Sequence, residues 1–96
     1  MMVLISYDVN TEDREGKKRL RKVAKECENH AQRVQNSVFE ADLDYGKFLK
    51  LKSALLDIMD DKKDSIRFYY LGNDWKKHIE HFGAKDTYDP EGVIIL

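Results

Sequence analysis

The sequence predicts an α+β, ferredoxin-like sandwich, in which an antiparallel sheet carries two helices on one face. Three observations lead there. Strand-like and helix-like segments alternate along the chain. Both helix-like segments have an apolar stripe at helical spacing, so each has one face to bury. The strand-like segments are short and rich in β-branched and aromatic residues. Hydrophobic residues at 42% and charged ones at 36% give a globular balance, and 96 residues suit a single domain over 1–96.

Residues 2–9 (MVLISYDV) form the first strand, apolar on both faces until Ser6 and Asp8, as a central strand would be. Glu12, Asp13 and Glu15 then suit the positive end of a helix, expected over about 13–29. Leu20, Val23, Ala24, Cys27 and Ala31 mark its buried face. Residues 33–43 (RVQNSVFEADL) read as one long strand, bent near Ala41. Asp44 is placed to cap a second helix over about 45–59. Its stripe is Phe48, Leu51, Leu55, Ile58 and Met59, widened by Leu49 and Leu56. A polar turn (DDKKD, 60–64) leads into a strand over 65–71, followed by the turn Gly72-Asn73-Asp74. Residues 75–82 fit either a short strand or a helical turn. The chain closes on the apolar strand VIIL at 93–96. Left at a solvent-facing edge, such a strand invites aggregation, so it is either a central strand of its own sheet or a strand shared across a homodimer. The helix-free sheet face is likewise expected to meet a partner.

Composition removes several function classes. Seventeen Lys plus Arg against 18 Asp plus Glu leave a net charge of −1, which excludes a generally basic coat but not a local basic patch. One cysteine excludes an internal disulfide framework and a cysteine-only metal cluster, and points to a reducing, cytoplasmic setting. The first apolar run, 3–5, is too short for a signal sequence, and no run nears the ~20 residues of a membrane span. There is no Walker loop, GxGxxG, CxxC or HExxH.

Three features carry candidate chemistry. Asp8 stands at the carboxyl end of the first strand. Alone it reads as a turn carboxylate or helix cap, but a twofold dimer turns one Asp into a facing pair. Two close carboxylates repel unless they share a proton or a cation, and Mg²⁺, with Mn²⁺ as a substitute, suits such an oxygen site. The first helix supplies the second feature. Arg14, Lys18, Arg21 and Lys25, spaced 4, 3 and 4 apart, form one stripe opposite the buried face. Lys17, Arg19 and Lys22 thicken it, and no acid interrupts residues 16–25. The stripe is either a solvated helix face or a track for a phosphate backbone. Third, Arg33 and Phe39 share one side of the second strand. Arg33 suits a bidentate grip on a phosphate, and Phe39 either packs in the core or stacks on a base or in a dimer seam. Cys27 lies on the buried helix face and reads as packing, and the His78/His81 pair reads as surface.

Taken together, VLISYDV, the segment GKKRLRKVAKECENHAQRVQNSVFEADL over 16–43, SIRFYYLG and the terminal strand resemble the second family of CRISPR-associated proteins. Members of that family are small ferredoxin-like partners of the integrase that acquires spacers in antiviral defence. The resemblance covers nearly the whole chain. It implies a homodimer with one metal ion between two copies of Asp8, and metal-dependent endonuclease cleavage of RNA or double-stranded DNA. It also implies a role in capturing spacer DNA beside the integrase subunit. Asp8 matches the family's metal ligand, Tyr7 its tyrosine neighbour, Arg33 the arginine opening the second strand and Phe39 the phenylalanine further along. Arg14, Lys17 and Arg19 match the basic residues that open the first helix. The expected nucleic-acid contacts are therefore Arg14, Lys17, Lys18, Arg19, Arg21, Lys22 and Arg33. Mg²⁺ at Asp8 would polarise a phosphoryl oxygen, with Arg33 and the helix cations offsetting charge in the transition state. Two other readings stay open: a non-catalytic adaptor of the integrase, and a ribonuclease toxin of the virulence-associated type.

Overall fold

The computed structural model describes residues 1–71 and 79–84. Its elements are β1 (Met2–Asp8), α1 (Arg14–His30), β2 (Gln32–Gln35), β3 (Val38–Asp42), α2 (Tyr45–Ile58), β4 (Ser65–Tyr70) and β5 (Ile79–Gly83). The strands lie in the order β2-β3-β1-β4-β5, with each neighbouring pair antiparallel. This is the expected ferredoxin-like α+β arrangement, with one further strand at the β4 edge.

Alternation along β1 sorts its side chains. Val3, Ile5 and Tyr7 join the core, and their cross-strand partners Ala41 and Phe39 on β3, and Tyr70, Phe68 and Ile66 on β4, point the same way. Both helices pack on that face, α1 through Val23 and Cys27 and α2 through Phe48, Leu51 and Leu55. Phe48 meets Phe68 and Tyr70 edge-on, at centroid distances of 5.6 and 5.5 Å, an arrangement that aromatic quadrupoles favour. Lys52 donates to Glu80 (2.7 Å), which also accepts from the Tyr70 hydroxyl, so α2, β4 and β5 are tied at one edge.

One sequence expectation changes. Residues 33–43 are not one bent strand. The chain reverses at Asn36-Ser37, and β2 and β3 form a hairpin with a register shift between Arg33 and Gln35. Asn and Ser favour turns because their side chains compete for nearby backbone groups, and that local preference wins over the β-branched residues on either side. For residues 75–82 the strand alternative holds over the described part, from Ile79, so His81 lies on β5. His78 and the terminal VIIL lie outside the described residues.

Both helix starts follow the sequence. The Asp13 side chain accepts from the Gly16 amide (2.7 Å), and Asp44 accepts from that of Lys47 (2.8 Å). Space requires glycine at position 16. A Cβ there would lie 1.9 Å from the Asn10 carbonyl oxygen, a backbone atom that cannot swing aside. We expect Gly16→Ala to lose about 1–3 kcal/mol in urea denaturation, the usual cost of forcing extra volume into a packed site. An unchanged midpoint would show that the loop before α1 gives way freely.

Candidate active site and nucleic-acid interface

Asp8 ends β1, the central strand. Alternation directs its exposed side chain away from the helices, opposite to buried Tyr7, and its backbone pairs with Ser65 on β4. Immediately beyond, the chain is held firmly. Val9 is buried, the Asn10 amide donates to Asp64 Oδ1 (3.0 Å), and the Glu12 amide donates to Asn10 Oδ1 (2.9 Å).

Three sequence candidates meet behind this strand end. Tyr7 and Phe39 stack at 6.1 Å with 21° between their planes, and the Arg33 guanidinium lies 5.0 Å from the Phe39 centroid. Arg33 also donates to Glu28 (2.9 Å), while Tyr7 Oη donates to the Asn36 carbonyl (3.5 Å). Phe39 is 0% exposed and Tyr7 4%, so both rings sit in the core of the chain. For Phe39 this is the core placement that the sequence left open. Burial raises the Tyr7 pKa, with Cys27 and Glu28 adding and Arg33 opposing. Burial also pushes the Cys27 thiol up to about 12, which leaves it a packing group and not a nucleophile. The Arg33–Glu28 pair is exposed on both sides. Such pairs are worth little, so Arg33 exchanges Glu28 for another anion at small cost.

On α1, Arg14, Lys17, Lys18, Arg21, Lys22 and Lys25 are exposed, while Gly16, Val23 and Cys27 are buried. The helix thus keeps its cations on the side turned from the core. Arg19 departs from that pattern. Its Nε donates to Asp64 Oδ2 (2.7 Å) and its Nη2 to Asp64 Oδ1 (3.2 Å), a two-pronged grip on a carboxylate with 0% exposure. Burial raises the Asp64 pKa, but the hydrogen bonds from Arg19 and from the Asp60 and Asn10 amides outweigh it and leave the carboxyl below its usual range. The Arg19 pKa rises in return, chiefly through its hydrogen bond to Asp64. Arg19 is therefore engaged inside the fold. In the sequence Asp64 is only the last residue of a polar turn.

Among the described residues no three His, Cys, Asp or Glu side chains gather into a metal cage. One exposed carboxylate suits Mg²⁺, which keeps most of its waters and takes one or two carboxylates, better than a metal that needs a full set of protein ligands.

The profile of the family described as CRISPR associated protein Cas2 matches residues 1–79, a span that includes Tyr7, Asp8, Arg33, Phe39, the basic helix and Asp64. The chain belongs to the Cas2 family. It is similar to the CRISPR-associated endoribonuclease Cas2 of Nitratidesulfovibrio vulgaris, at 56% identity over 96 residues, covering 100% of this chain and 94% of the relative. The CRISPR-associated endonuclease Cas2 of Halalkalibacterium halodurans is 53% identical over 96 residues, with 100% of both chains covered. Among solved structures, the crystal structure of Streptococcus pyogenes Cas2 superposes with a TM-score of 0.70 at 55% identity, covering 83% of this chain and 96% of that one. The Cas2 fold is thus shared along with the sequence. No helix among the described residues is long and apolar enough to cross a membrane.

Proposed function

We propose that this Cas2 chain works as a homodimeric, metal-dependent endonuclease that also holds nucleic acid for the integrase subunit during spacer acquisition. One observation carries the reading: an exposed carboxylate, Asp8, ends the central strand of a fold whose first helix presents an uninterrupted row of cations. Relatives named endoribonuclease and endonuclease support cleavage, and in this reading the substrate is RNA or double-stranded DNA.

The residues divide the work. Asp8 would hold Mg²⁺, or Mn²⁺ in its place, with the second copy of Asp8 across the dimer. Bound there, such an ion would supply Lewis-acid polarisation of a phosphoryl oxygen and a more acidic water. Arg14, Lys17, Lys18, Arg21 and Lys22 bind the phosphate backbone by charge. Arg33 leaves its exposed pair with Glu28 and takes a phosphate oxygen, which offsets negative charge as it builds in the transition state. Tyr7 and Phe39 are positioning residues: their stack supports the end of β1 on one side and carries Arg33 on the other. Arg19 has no part in the contact with nucleic acid, because Asp64 occupies its guanidinium.

The exposed stripe on α1 also supports the adaptor role by itself, since it needs no help from Asp8. The double variant Lys18→Glu/Arg21→Glu is expected to weaken duplex binding and to flatten its salt dependence by about two units in the log–log slope. Fluorescence anisotropy across a salt series measures this. An unchanged slope would place the bound strand on another surface.

A further inference from the structure

Asp64 is buried and central to no chemistry, yet four backbone segments meet at it. Its Oδ1 accepts from the Asn10 amide (3.0 Å) and its Oδ2 from the Asp60 amide (2.9 Å). Arg19 of α1 bridges both oxygens. The Asp64 carbonyl accepts from the Ala84 amide (2.9 Å), just past β5. Arg19 Nη2 also reaches the Asn10 carbonyl (3.5 Å). Two glycines allow this closeness: a Cβ on Gly16 would strike the Asn10 carbonyl, and one on Gly83, at φ +117°, would lie 2.0 Å from the Asp64 carbonyl. The next residue, Ser65, is the cross-strand partner of Asp8. Asp64 thus grips the chain two residues after Asp8 and stands beside the residue that pairs with it.

We infer that Asp64, clamped by Arg19, is the positioning residue for Asp8, fixing the β1 exit so that the Asp8 carboxylate has one direction. This rests on the reading of Asp8 as the metal-binding carboxylate. The chemistry of the carboxylate is what the role requires. Two backbone N–H groups and a guanidinium all donate to Asp64, so it must accept with both oxygens. An amide in its place turns an N–H toward a donor. Lysine in place of Arg19 keeps the charge but loses the two-pronged grip.

Asp64→Asn and Arg19→Lys test this. Cleavage is measured with Mg²⁺ at a temperature where circular dichroism shows each variant folded. Amide hydrogen exchange at Asn10 is followed by NMR in the same samples. We expect kcat to fall about 10–100-fold in both variants, the usual cost of losing a group that orients a metal ligand. KM and the salt slope of binding stay unchanged, and Asn10 exchanges faster while Ile5 keeps its protection. Should Asp64→Asn not fold, Arg19→Lys carries the test alone. Normal kcat in a folded variant, or unchanged Asn10 exchange, overturns the assignment. A change in the salt slope with Arg19→Lys would return Arg19 to the phosphate contacts and overturn it too. If wild-type protein does not cut at all, the reading of Asp8 fails separately, and the clamp stands or falls on Asn10 exchange.

Discussion

Replacing Asp8 with alanine should reduce metal-dependent phosphodiester cleavage by roughly a hundredfold or more and leave the fold intact. The size follows from what a cation contributes. Neutralising charge at a phosphoryl centre supplies several kcal/mol, and each 1.36 kcal/mol is about a factor of ten in rate. The fold survives because Asp8 is exposed and its strand pairing with Ser65 is made by the backbone. The check is a cleavage assay on rigorously purified wild type and Asp8→Ala, with RNA and duplex DNA, with and without Mg²⁺. Cutting retained by the variant would mean another site or a contaminant. Loss of cutting with duplex binding kept would separate the catalytic role from the adaptor role.

Asp64→Ala should cost about 3–5 kcal/mol of stability. It leaves the Arg19 guanidinium without its carboxylate and two backbone amides without an acceptor in a site with little access to water. At roughly 4–8 °C per kcal/mol for a domain this size, the melting temperature falls by on the order of 12–40 °C. The pH dependence has a definite sign. The folded Asp64 pKa lies below its unfolded value. Its contribution is therefore complete above the ordinary carboxylate pKa of about 3.9 and disappears as pH falls through the lower folded value. Wild-type stability should decline more steeply than that of Asp64→Ala across this acidic window. Parallel acid limbs in urea melts would show that Asp64 is not the group responsible.

The layers of the fold were legible because hydrophobic period is a direct image of burial. Val3, Ile5 and Tyr7 alternate, Val23 and Cys27 recur at helical spacing, and each lies in the core. Asp44 was legible as a cap from its place before the second helix, and Asp13 only as part of the acidic cluster at the start of the first. The hairpin between β2 and β3 was not, because Val34 and Val38 on either side make a run that looks continuous, and only Asn36-Ser37 interrupts it. For the site, the exposed α1 cations follow from their helical angle, and Asp8 from its place at a strand end. Arg19 shows the limit of that method. The other α1 cations face solvent, and its own guanidinium points inward because a carboxylate 45 residues away waits there. Nothing in DDKKD distinguishes Asp64 from Asp60 or Asp61. Its role depends on contacts with Asn10 and Arg19, which are distant in sequence. The one local hint is that Asp64 abuts the apolar strand β4.

The central claim is that two chains hold one cation between their Asp8 side chains. A Mn²⁺ titration followed by electron paramagnetic resonance, with mass determined by light scattering on the same samples, tests it most directly. The account predicts a dimer that binds one Mn²⁺ per two chains, and an Asp8→Ala dimer that binds none. A monomer at working concentration, one ion per chain, or equal binding by Asp8→Ala would contradict it.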